Sequence, residues 1–184
     1  INKIEKYNKP YIYVNLVGGQ DQLVFDGMSM VANENADWVH ISPQFKERIS
    51  EVTLPATSSM NTSLDLPDIP KDEQVFKGLV LGVHDYFSKT GHNKAVLGLS
   101  GGIDSAVTAA IAVEALGADN VLGIAMPSKY SSDHSVKDAE QLAINLGIKY
   151  LNIPIGTILE GFQNTYTQIL GEPISGLPEE NLQA

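Results

Sequence analysis

One short string in this sequence combines the residue types that phosphate chemistry needs. Residues 98–105 read GLSGGIDS, where an apolar run ends and an Ala-rich helical pattern begins. In an open parallel sheet, ligands bind at such strand-to-helix junctions. The first turn of a helix also offers unpaired N–H groups and a partial positive charge. Gly101 and Gly102 lack a Cβ, so their backbone can close around a phosphate. Ser100 and Ser105 add hydroxyl donors. Asp104 stands out, because a carboxylate beside a phosphate repels it. Mg2+ between the two removes the conflict, since that ion prefers hard oxygen ligands. The candidate set is therefore Gly98, Leu99, Ser100, Gly101, Gly102, Ile103, Asp104 and Ser105, with Asp104 as the metal ligand. The alternative is a plain turn with an aspartate near a helix start. Two other phosphate loops do not match: there is no Gly-Lys pair for a Walker loop and no G-x-G-x-x-G string.

The elements around this string must position it. Val75, Phe76, Leu79, Val80, Val83, Tyr86 and Phe87 recur at helical spacing, and Gly91 is placed to stop that helix. Residues 94–100 (KAVLGLS) suit a buried strand. Residues 104–116 are Ala-rich and helical, with Gly117 as C-cap. Residues 120–126 (NVLGIAM) form a second strand. Ser135 and Asp138 form a capping-box pair opening a helix to about Leu146, which Gly147 closes. A third strand over 149–155 and a third helix over 157–170 follow. This βαβαβα order implies a parallel sheet covered on both faces, a doubly wound α/β layout.

The first part of the chain reads differently. Residues 11–17 (YIYVNLV) are strand-like, with Gly18-Gly19 as the turn that ends them. Residues 22–25 and 28–33 read as short strands broken by Asp26-Gly27, a hairpin-type pair. Residues 48–53 are a further strand candidate. The polar stretch from Pro55 to Asp72 has turn and linker chemistry. The division expected is thus a β-rich part over 1–59, a linker over 60–72 and an α/β part over 73–184.

Composition limits the function classes. Apolar residues make up 43% and charged residues 18% of 184, which describes a globular chain. The net charge of −10 argues against nucleic acid as a general partner, so bound phosphate must be held locally. The chain has no cysteine, which removes disulfides, thiolate metal sites and a cysteine nucleophile from this stretch and fits a cytoplasmic protein. Apolar runs fall far short of the ~20 residues that span a membrane. The first residue is Ile1, and its surroundings read as mid-domain sequence, so a piece of a longer chain is expected. The four histidines lack paired zinc-ligand spacing, and they, Trp38 and the tyrosines are read as packing or solvated residues.

SGGxDS resembles the signature of the N-type ATP pyrophosphatases, which include NAD, GMP, asparagine and argininosuccinate synthetases. Three further strings narrow the resemblance to glutamine-dependent NAD synthetases. Residues 126–135 (MPSKYSSDHS) are similar to a segment that follows the second strand in that family, with Lys129 where Arg is usual. Lys lacks the planar fork of Arg, so it offers a point charge and not a bidentate phosphate contact there. Residues 14–27 (VNLVGGQDQLVFDG) resemble a strand-and-turn segment late in the family's nitrilase-like glutaminase domain and are read as structural. Residues 180–184 (ENLQA) resemble the opening of ENxxAR, which approaches deamido-NAD, so Asn181 is the substrate candidate; an ordinary helix-starting residue is the equal alternative there.

The resemblance implies a Rossmann-like, adenine nucleotide alpha hydrolase-like fold behind the β-rich end of a nitrilase-like α/β domain. It implies ATP bound at Gly98 to Ser105 and Lys129, with Tyr130 and Ser131 as further lining candidates, Mg2+ on Asp104, and deamido-NAD as substrate. The activity implied is ATP-dependent amidation through an acyl-adenylate, with ammonia from glutamine, in a cytoplasmic homo-oligomer away from membranes. The glutaminase catalytic residues would lie outside this stretch. Alternatives are another N-type pyrophosphatase amidotransferase, such as a GMP synthetase, or a non-catalytic adenine-nucleotide-binding module.

Overall fold

The computed structural model describes residues 6–54, 69–129 and 131–172. The chain divides into two compact units, Ile1–His92 and Asn93–Ala184.

In the first unit, strands β1 (Tyr11–Tyr13), β4 (Met30–Ala32) and β5 (Trp38–Ile41) form an antiparallel sheet in the order β1-β4-β5. Strands β2 (Val17–Gln20) and β3 (Leu23–Asp26) form a separate hairpin, with Gln20 opposite Leu23. Its turn is therefore Asp21-Gln22, with Asp21 at φ 51°, and not Asp26-Gly27 as its residue types suggest. Asp26-Gly27 is held by long-range bonds instead. The Asp26 carboxylate accepts from Asn15 Nδ2 at 3.1 Å and Gln44 Nε2 at 3.0 Å, and Gly27 bridges to Gln44. Gly18-Gly19 lies inside β2 rather than ending a strand. Strand β5 has no counterpart in the sequence reading; its entry is an Asx turn in which Asn33 Oδ1 accepts from the amides of Asn35 and Asp37. Residues 48–53 are not in a strand. Helix α1 (Lys71–Lys89) packs on the β2–β3 hairpin and ends at Thr90, with Gly91 at φ 73° just beyond.

The second unit is the α/β part. Strands β6 (Ala95–Gly98), β7 (Val121–Ala125) and β8 (Lys149–Asn152) lie parallel in that order. Helices α2 (Ile103–Leu116) and α3 (Asp133–Leu146) connect them, and α4 (Gly156–Leu170) follows β8. The strand order runs one way, so two right-handed crossovers put α2 and α3 on the same face, where they also touch each other. That face holds the core of Leu99, Ala109, Ala112, Val121, Ala139, Ala143 and Ile148. Alanines on both helices keep their axes close to the sheet. On the opposite face Val96 is 65% and Leu151 47% exposed. The strand over 94–100 is thus buried on one side only among the described residues, because both crossover helices lie on the other.

Gly117, at φ 83°, ends α2 as expected, and Gly147, at φ 68°, ends α3. The start of α3 differs from the sequence reading by one turn. Ser132 is the N-cap, its Oγ accepting from Ser135 N at 3.1 Å. The Ser135/Asp138 pair has the right types, but the chain already turns helical at Asp133. No described helix is long and apolar enough to cross a membrane.

Candidate functional site

The loop after β6 is anchored from below. Leu99 is 3% exposed, and its N–H donates to Ile124 O at 2.8 Å, which carries the ladder one residue past the end of β6. Burying a leucine contributes roughly 1.5–3 kcal/mol, so the loop starts from a fixed point. It then turns sharply: Gly101 has φ 78°, a conformation that side-chain-bearing residues seldom adopt. A Cβ on Gly101 would also stand 2.7 Å from Ser135 Cα, inside the backbone of α3. Two requirements, one local and one tertiary, thus fix glycine at this position.

Gly102, extended at φ −90° and ψ 164°, caps α2 without a side-chain bond. Inside the loop the two serines hold the bend together. Ser105 Oγ donates to Gly102 O at 3.0 Å and lies 3.1 Å from Ser100 Oγ. The amides of Ser100 and Gly102 donate to the Ser105 and Ser100 hydroxyls, both at a long 3.3 Å. The amides of Gly101, Ile103, Asp104 and Ser105 meet no acceptor among the described residues. These are the orphan donors of a helix start together with one loop amide, an arrangement that suits an anion. Ser100 and Ser105 therefore organise the loop as well as offering hydroxyls.

Asp104 is exposed in the first turn of α2, and its carboxylate has no partner among the described residues. No group of three or more His, Cys, Asp or Glu side chains able to hold a metal exists among the described residues. Mg2+ is commonly held by one or two carboxylates plus substrate phosphates. A single open carboxylate beside free amides fits that donor set.

A cleft of about 410 Å³ opens beside the loop, at the C-terminal ends of β6 and β7. Gly98, Leu99 and Ser100 form one wall, and Ile124 to Pro127 a second. Ser131, Ser135, Val136 and Ile155 complete it. The expected site residues thus divide into two groups. Gly98, Leu99, Ser100 and Ser131 line the cleft, while Gly101, Gly102, Ile103, Asp104 and Ser105 form the turn next to it. Lys129 is exposed in the turn between Pro127 and Ser131 and does not line the cleft. Ser131 N donates to Ser128 O at 3.1 Å and Ser131 Oγ accepts from Ser128 N at 3.0 Å, closing that turn. Asn181 and Tyr130 lie outside the described residues. The sequence reading missed Ile124, Ala125, Met126, Pro127, Ser135, Val136 and Ile155 as cleft residues. Their capping and apolar types carry no ligand signal, and only tertiary packing brings them beside the β6 loop.

Residues 75–184 match the family model described as NAD synthase. The glutamine-dependent NAD(+) synthetase of Synechocystis sp. is 48% identical over 98% of this chain and 33% of its own length. The enzyme of that name from Thermotoga maritima is 36% identical over 99% of this chain and 37% of its own. Among solved structures, the glutamine-dependent NAD+ synthetase from Acinetobacter baumannii, in complex with adenosine diphosphate, superposes with a TM-score of 0.82 at 35% identity; the match covers 100% of this chain and 35% of that one. The chain spans about a third of the length of the curated relatives it matches.

Proposed function

Since this chain belongs to the NAD synthase family, we propose that it is the stretch of a glutamine-dependent NAD synthetase that holds the pyrophosphate end of ATP during amidation of deamido-NAD. The observation that carries the reading is the set of open amides of Gly101, Ile103, Asp104 and Ser105 after the parallel strand β6, with the exposed Asp104 carboxylate among them. A similar enzyme solved in complex with adenosine diphosphate supports nucleotide binding in this family.

In the proposed reaction, the nicotinate carboxylate of deamido-NAD attacks the α-phosphorus of ATP. The bond to the bridging oxygen breaks, pyrophosphate leaves, and an acyl-adenylate forms. Ammonia from glutamine hydrolysis then attacks the acyl carbon, AMP departs, and a proton is lost to give NAD. Transfer at phosphorus depends mainly on positioning and charge neutralisation. The amides of Gly101, Ile103, Asp104 and Ser105 donate to the β- and γ-phosphate oxygens, where negative charge grows as pyrophosphate leaves. Ser100 and Ser105 hold the turn in shape, and Leu99 fixes its height above the sheet. The half-apolar cleft beside Gly98 takes the remainder of the nucleotide. Asp104 would hold Mg2+, which supplies charge neutralisation on the phosphates when bound. Lys129 and Asn181 are proposed as contacts to ATP and deamido-NAD.

The same reading assigns 1–59 to the end of a nitrilase-like glutaminase domain, 60–72 to a linker and 73–184 to the synthetase domain. It makes the whole protein a cytoplasmic homo-oligomer. The test is deamido-NAD-dependent release of pyrophosphate from Mg-ATP by the full-length protein, with xanthylate in parallel. Release with deamido-NAD alone is expected. Release with xanthylate alone would move the protein to GMP synthetase chemistry, and nucleotide binding without release would make it a binding module.

A further inference from the structure

Helix α1 from Val75 onward lies within the stretch matched by the NAD synthase model, yet its packing partner is the β2–β3 hairpin from the part that resembles a glutaminase. Glycines clear the joint from both sides. A Cβ on Gly82 of α1 would stand 3.1 Å from Val24 Cγ2, and one on Gly19 of β2 would stand 3.4 Å from Asp85 Cβ and 3.5 Å from Gly82 Cα. Gly18, at φ 128°, faces the Asp85 carboxylate so closely that any side chain would displace it.

Asp85 enters the space the glycines leave. Its Oδ2 accepts from Gly19 N at 2.9 Å and from Lys89 Nζ at 3.1 Å. Lys89 Nζ also donates to Gly19 O. One turn of α1 thus grips a single residue of the hairpin by both its N–H and its C=O. The Asp85 side chain is 19% exposed, so the grip is partly shielded from water. Beyond Lys89, residues 90–94 lead directly into β6, and β6 leads into Leu99 and the phosphate loop. The helix that the hairpin holds is therefore the one whose end feeds the loop.

We propose that Asp85 is a positioning residue that fastens the glutaminase-side hairpin to the helix leading into the phosphate loop, so that nitrogen released from glutamine reaches the adenylate. The proposal rests on the reading of the two halves given above. Use of glutamine-derived ammonia depends on the joint between the hairpin and α1, whereas ammonia added to the solution bypasses it.

The experiment uses the full-length enzyme and its Asp85→Asn and Asp85→Ala variants, with three readouts: NAD formed from free ammonia, NAD formed from glutamine, and glutamate released per NAD. Ammonia-dependent synthesis stays near the wild-type rate, while glutamate released per NAD rises roughly three- to tenfold, the size expected when one coupling contact is removed. Lys89→Arg keeps the coupling. Should Asp85→Ala fail to fold, Lys89→Met leaves the Asp85–Gly19 bond in place and gives a smaller rise in the same direction. An unchanged ratio, or a parallel fall of both NAD-forming activities with the thermal midpoint, overturns the proposal. If the wild-type enzyme makes no NAD from deamido-NAD and free ammonia, the functional reading fails instead.

Discussion

Gly101 and Ser135 are in backbone contact: a methyl group on Gly101 would fall 2.7 Å from the Cα of Ser135 and 2.8 Å from its carbonyl carbon. The start of α3 and the turn before α2 are therefore one packed unit, though 34 positions separate them in the sequence (135 − 101). A side chain at the centre of the loop would therefore meet the backbone of α3.

Gly101→Ala combines that overlap with a positive φ. Overpacking a fixed site costs about 1–3 kcal/mol, and a left-handed alanine adds roughly 1 kcal/mol more. Thermal or urea unfolding of the full-length protein should register that loss, and calorimetric titration should find weaker ATP binding. Wild-type stability and affinity would mean that α3 moves aside freely.

Asp104→Asn should keep the fold, because Asp104 is exposed and without a described partner. Activity should fall roughly 100-fold or more, the usual size for loss of one charge-stabilising group at a phosphoryl site. Pyrophosphate release measured across a Mg2+ series, with circular dichroism as the fold control, decides it. An active variant with unaltered Mg2+ dependence would remove Asp104 from the metal site.

Leu99→Ala should destabilise by about 2–5 kcal/mol, as deletion of a well-packed core leucine does. Leu99 also sets the height of the loop through its bond to Ile124 O, so KM for ATP should rise as well. Unfolding curves and initial rates on the same preparation separate the two effects.

Ser132→Ala removes the N-cap of α3, which costs about 1 kcal/mol. Ser135→Ala, which leaves the Ser132 Oγ to Ser135 N bond intact, should cost less. If the two losses were reversed in size, Ser135 would be the true cap.

Asp85 gives the protein an acid-sensitive contact. Burial pushes its pKa up, but the Gly19 amide, Lys89 and His84 outweigh burial and hold the carboxyl below its ordinary value. A carboxylate depressed in the folded state stabilises above the unfolded value, about 3.9, and that stabilisation fades as pH falls through the folded value. Wild type and Asp85→Asn should therefore differ most in stability at neutral pH and converge below about pH 4. Unfolding free energies measured from pH 7 downward check the sign.

The α/β half was largely legible in the sequence because its signals are local. Ala-rich helix α2 and its glycine stop, the alternation of strands and helices, and the SGGIDS junction all depend on residues close in sequence. The β-rich half was less so. Gly18-Gly19 and Asp26-Gly27 have turn chemistry, but one pair lies inside a strand against α1 and the other is tied to Asn15 and Gln44.

By itself the sequence determined where a glycine bend at a helix start would form, since glycines, hydroxyls and a helix start at fixed spacing settle local backbone shape and charge. Tertiary structure alone decided the long-range contacts within each unit. The Ser135 backbone against Gly101, the cleft wall from Ser131 to Ile155, and the Asp85 grip on Gly19 join residues far apart in the chain. Their contact depends on how helices and strands pack, which no local pattern encodes.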